Sequence, residues 1–144
     1  MLAGKKNIGL ILLMTFILSS CIGILISSLQ QTATINITDI KTTTRIDEKL
    51  MPVGVTGVFP DGTQKVFCWF QWKDTKINTT VMARWYFLTD NIHILDYNFT
   101  IPRKEGSGSV SLTMPEGKKL PVGQYKIDLN FGKQTLKSTI FKVQ

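Results

Sequence analysis

The chain has 144 residues, 43% of them hydrophobic and 10% aromatic, enough to bury one core of ordinary domain size. Its formal charge is +7, from 17 basic against 10 acidic side chains, and the basic residues are dispersed rather than gathered in the stripe that nucleic-acid binding uses. His93 is the single histidine, which excludes a histidine-based metal cluster, and no motif for a cofactor is present.

In chain order, Met1 to Lys6 ends in a lysine pair, and Ile8 to Leu29 then carries no charge at all. One expectation is a single transmembrane helix, since 22 residues at about 1.5 Å each give roughly 33 Å, enough for a bilayer core. Lys5 and Lys6 would hold its N-terminus in the cytoplasm. A second is a secretory signal with Leu18-Ser19-Ser20-Cys21 resembling a lipobox, so that Cys21 carries a lipid. The third is cleavage and release. The first two leave the rest of the chain tethered outside the cytoplasmic membrane, a cell-membrane location with a single anchor. Residues 1–29 are thus expected as anchor, 30–52 as exit strand and connector, and 53–144 as the folded domain.

After the polar exit Gln30-Gln31-Thr32, Ala33 to Ile40 reads as a first strand, and the Thr-rich, charged run Lys41 to Leu50 as a connector. Val53 to Phe59 is β-rich, and Pro60-Asp61-Gly62-Thr63 is a strong turn. In Lys65 to Trp72, Val66, Cys68, Phe70 and Trp72 alternate with Phe67 and Trp69. In Thr79 to Leu88, Val81, Ala83, Trp85 and Phe87 alternate with Met82, Arg84 and Tyr86. Asp90-Asn91 turns the chain into Ile92 to Thr100. Pro102 to Gly108 reads as a loop with Gly106-Ser107-Gly108 at a flexible tip, not a phosphate cradle, because no helix follows it. Ser109 to Met114 is the next strand.

The closing hairpin is the clearest element. Tyr125, Ile127, Leu129 and Phe131 share one strand face, opposite Lys126, Asp128 and Asn130. Gly132-Lys133 returns the chain into Gln134 to Val143, with a bulge expected near Ser138-Thr139. Leu120-Pro121-Val122-Gly123-Gln124-Tyr125 has the form of a tyrosine corner, which closes the end of a sandwich. Short strands at regular spacing with Gly and Pro turns predict an all-β antiparallel sandwich of about seven to eight strands after the apolar segment.

The run from Ile46-Asp47 through Pro52-Val53-Gly54, Phe59, Phe70, Val81, Arg84-Trp85-Tyr86, Leu120-Pro121-x-Gly-x-Tyr and Phe141-x-Val143 resembles a family of Ig-like extracytoplasmic domains. These domains, from bacterial and archaeal membrane-anchored proteins, have no assigned activity. The resemblance covers most of residues 45–143 and implies a core role for Trp85 and the corner role for Tyr125. It transfers no binding residue.

Chemistry is weakly signalled. No serine stands on a nucleophile elbow near His93, and the turn carboxylates are the kind that cap backbone, so catalytic and metal residues are expected to be none. Cys68 could pair only with Cys21 within the chain, which favours a buried thiol acting as a small hydrophobe, with an intermolecular bridge as the alternative. Asn36, Asn78 and Asn98 each open an N-x-Thr sequon, a signal for glycosylation in a host that has the machinery. If the Val66 and Val81 faces point inward, Phe67, Trp69, Met82, Arg84 and Tyr86 share the opposite face as a partner-binding patch. The expected function is a membrane-anchored, non-catalytic module that contacts a protein or cell-envelope component. The alternatives are a pilin-like filament subunit with its N-terminal helix in the fibre, and a carbohydrate-binding surface using Trp69 and Tyr86.

Overall fold

The computed structural model describes residues 35–144. The anchor segment and Cys21 lie outside the described residues, among which no helix is long and apolar enough to cross a membrane. Nine strands follow one another: β1 (Asn36–Ile46), β2 (Pro52–Val55), β3 (Val58–Phe59), β4 (Lys65–Lys73), β5 (Thr80–Phe87), β6 (Ile92–Thr100), β7 (Gly106–Thr113), β8 (Gly123–Phe131) and β9 (Gln134–Val143). They form a four-stranded sheet in the order β2-β1-β4-β7 and a five-stranded sheet in the order β3-β9-β8-β5-β6. All pairings are antiparallel except the short β3–β9 pair.

The core follows from the period-two alternation of β4, β5 and β8. Val66, Cys68, Phe70 and Trp72 of one sheet meet Val81, Ala83, Trp85, Ile127 and Leu129 of the other, all fully buried. At one end of the sandwich the Tyr125 ring stacks on Phe141 at 4.7 Å and 10°, and its hydroxyl donates to the Pro121 carbonyl at 2.6 Å. That bond is the tyrosine corner. Trp85 packs edge-on to Phe141 with its indole N–H buried and without an acceptor among the described residues.

Four expectations are corrected. The domain begins at β1, not at residue 53, because β1 is an inner strand paired with both β2 and β4. Lys41 to Ile46 of the Thr-rich run is the second half of β1, and only Asp47 to Leu50 of it belongs to the connection to β2. Thr42 and Thr43 are buried, and their hydroxyls donate to the carbonyls of Thr56 and Val53, so threonine serves here as a β-branched core residue with its polar atom satisfied. The stretch from Val53 to Phe59 is β-rich as expected, and holds two strands in two sheets: β2 pairs with β1, the chain turns at Thr56-Gly57, and β3 pairs with the end of β9. That turn is held by Thr56, whose amide bonds to the Thr42 carbonyl and whose hydroxyl donates to Val58.

Gly106-Ser107-Gly108 is the third case, and the position of the β9 bulge is the fourth. The Gly-Ser-Gly run is the start of β7, in register with Trp72, Gln71 and Phe70. A Cβ on Gly108 would stand 2.7 Å from Phe99 Cζ, and one on Gly106 would stand 3.0 Å from the Trp72 ring. The glycines allow aromatic rings to lie against the strand, which is packing rather than flexibility. The bulge in β9 falls at Leu136, opposite the Leu129–Asn130 step of β8, two residues earlier than expected.

Candidate functional site

The expected five-residue patch is divided by the topology. Phe67 and Trp69 lie on β4 and Met82, Arg84 and Tyr86 on β5, and these strands belong to different sheets. The outward sides of the two sheets are the opposite outer surfaces of the sandwich, so the two groups cannot form one patch. Trp69 is moreover only 4% exposed, its indole N–H donating to the Leu50 carbonyl at 2.8 Å with the Lys41 ammonium 5.6 Å above the ring. The loop that Asp47 orders through the amides of Lys49 and Met51 brings Leu50 there. A sugar platform built jointly from Trp69 and Tyr86 is ruled out for the same reason.

What the structure assembles instead is a polar and aromatic cluster on the outer face of the five-stranded sheet. Strand β5 supplies Met82, Arg84 and Tyr86 because its odd positions are committed to the core. Strand β6 adds His93 and Asp96, and β8 adds Lys126 and Asp128. On a regular strand His93 and Asp96, three residues apart, would face opposite ways. The register step between Trp85 and Tyr86 leaves Ile94 as the extra residue of a bulge and turns both side chains outward. Periodicity alone therefore missed His93 and Asp96.

Asp96 is the hub. Arg84 Nε donates to its carboxylate at 3.0 Å, and His93 Nε2 lies 2.8 Å from the same oxygen. Partial burial pushes the Asp96 carboxyl upward, but the bonds from His93 and Arg84 outweigh it and hold the group below the ordinary carboxylate range. The Tyr86 ring is flanked by His93 at 5.6 Å, edge-on, and by the Lys126 ammonium at 4.8 Å. Lys126 also pairs with Asp128 at 2.8 Å, and Asp128, itself buried, accepts from Ser138 at 2.6 Å. Arg84, Tyr86, His93 and Asp96 line a shallow open depression of about 340 Å³.

Such a surface has fixed donors, a fixed acceptor and an aromatic edge, all half-exposed. His93 bonds to Asp96, and no hydrogen bond joins it to a hydroxyl among the described residues. Among the same residues no group of three or more His, Cys, Asp or Glu side chains could hold a metal ion. The sequon residues Asn36, Asn78 and Asn98 are all exposed. Cys68 is a buried free thiol, and burial pushes it well above its ordinary range.

Two packed antiparallel sheets, a tyrosine corner and a core tryptophan define an immunoglobulin-like β-sandwich. A crystal structure of an immunoglobulin-like protein from Pseudomonas aeruginosa is similar to this chain with a TM-score of 0.55 and 13% identity, covering 79% of this chain and 99% of that one. The likeness is one of fold. No protein-family model and no curated protein sequence matches the chain.

Proposed function

We propose that the chain is a tethered extracytoplasmic contact module that binds a protein or a cell-envelope component without chemistry. The observation that carries this is the pre-ordered cluster of Arg84, Tyr86, His93 and Asp96 on an exposed sheet face. Arginine and tyrosine are the residue types over-represented where partners dock, and here both are held in place before any partner arrives. The uncharged run from Ile8 to Leu29 supports the tether, as a membrane helix or through a lipid on Cys21. The filament alternative rests on that same segment. A carbohydrate surface would have to work from Tyr86 alone, with its ring already flanked by His93 and Lys126.

The test is site-specific photo-crosslinking in membranes of the native host. A photoreactive side chain at Tyr86 is expected to trap one discrete partner, and Arg84→Glu to reduce that product at least about tenfold. The same probe at Lys118, in a turn away from the cluster, is expected to trap none. Equal products from the two positions, or none from Tyr86, would reject the outer face of this sheet as the contact surface.

A further inference from the structure

We infer that β7 is a self-pairing edge, through which two copies of the chain join their four-stranded sheets into one continuous sheet of eight strands. Among the described residues the two sheets end in four edge strands: β2, β7, β3 and β6. A free edge presents unpaired N–H and C=O groups, and stable proteins blunt it with short strands, proline, charge or bulges. Three of these edges are blunted. β2 has four residues, including Pro52 and a Gly54 at φ +70°; β3 has two; β6 carries the Ile94 bulge together with His93 and Asp96.

β7 has none of these protections. It runs for eight residues, Gly106 to Thr113, with no charge and no proline. Its register with β4 is unbroken from Lys65 opposite Thr113 to Trp72 opposite Gly106. About half of its main-chain groups therefore point toward β4 and the rest toward the open side.

The occupant that fits is a second copy, because β7 is complementary to itself about Val110. In an antiparallel pair with a two-fold axis at Val110, Ser109 faces Ser111 of the second copy and Ser107 faces Thr113, matching hydroxyls on the outer side. On the inner side the small Gly108 faces the large Leu112. An antiparallel pair also sets the start of one strand against the end of the other, and the flanking charges there are of opposite sign: Lys104 stands in the bend before β7 and Glu116 in the turn after it. Both side chains are exposed, and neither forms an ion pair among the described residues. Leu112 and Met114 also rim an apolar cleft of about 220 Å³ that opens between β7 and β6 over Phe87, Ile92 and Ile94. An added strand would cover that rim as well as pair the backbone.

Sedimentation of the full chain in detergent micelles tests this, over about 1 to 300 µM because a single strand pair is a small interface. The wild type is expected to dimerise in that range. Ser109→Lys with Ser111→Lys sets like charges directly opposite and is expected to raise the midpoint at least about tenfold while circular dichroism stays native. The register is read separately in a Cys21→Ser background. Ser109→Cys mixed with Ser111→Cys should cross-link under oxidation, and each alone should not, because only the mixed pair stands directly opposite. Should the double-lysine variant unfold, this cysteine pair decides. A wild type that stays monomeric overturns the proposal. Protection of the β7 amides from exchange in that monomer would show the edge already filled within one copy. A dimer indifferent to the lysines, or cross-links from the single variants, also overturns it.

Discussion

Tyr125 does two things with one side chain. Its ring closes the core against Phe141 and Phe87, and its hydroxyl holds the Pro121 carbonyl, fixing the path of the chain into β8. Tyr125→Phe keeps the packing and loses the bond. Pro121 is exposed, so water can reach the abandoned carbonyl, and the expected cost is about 1 kcal/mol in urea unfolding. Burial also pushes the Tyr125 phenol up to about 12. The folded state therefore keeps this proton where the unfolded chain, titrating near pH ~10, has lost it. The contribution is whole below that value and is lost as pH rises toward 12. The urea midpoint is expected to fall more steeply between pH ~10 and ~12 in the wild type than in Tyr125→Phe. Equal slopes would mean that the phenol is not desolvated.

At the scale of elements, glycine decides the character of β7. Sequence composition reads Gly-Ser-Gly as a flexible tip, since a strand gains nothing from residues without side chains. The structure uses the missing side chains: Phe70, Trp72 and Phe99 cluster with centroids 5.1 to 6.0 Å apart, and the glycines of β7 let that cluster approach the strand. Gly108→Ala is expected to cost about 1–3 kcal/mol, because the new Cβ meets an aromatic ring locked on several sides. Denaturant unfolding checks it, and a change under about 0.5 kcal/mol would show that Phe99 moves aside freely. β1 teaches the complementary lesson. Its threonines look like linker sequence, yet they are β-branched and their hydroxyls find carbonyls on the β2 segment next to them. That pairing is visible only once the neighbour is known.

For the whole molecule, burial controls chemistry. Cys68 sits on β4, between β1 and β7, with its side chain in the core. The thiolate is the reactive form, and burial suppresses it. In a Cys21→Ser background, a thiol reagent is expected to label native protein at least about 100-fold more slowly than unfolded chain, at a rate that tracks global unfolding. Fast labelling of the native state would place Cys68 at a surface and reopen the intermolecular bridge.

Much of the fold was legible in the sequence: the all-β class, the turns, the inward faces of β4, β5 and β8, the core tryptophan and the corner tyrosine. These follow from a local rule, because successive side chains on a strand point to opposite sides whatever the strand pairs with. The candidate site was legible only in part. Met82, Arg84 and Tyr86 were found by that alternation. Phe67 and Trp69 were wrongly joined to them, because alternation says which residues share a side of one strand and nothing about which sheet the strand enters. That choice belongs to long-range pairing, with β1 beside β4 and β8 beside β5 across tens of residues of intervening chain. The bulge that turns His93 and Asp96 to one side is likewise set by pairing with β5. The sequence by itself thus determined the faces of each strand, and only the tertiary structure decided which faces meet, which stay open, and which edge is left unpaired among the described residues.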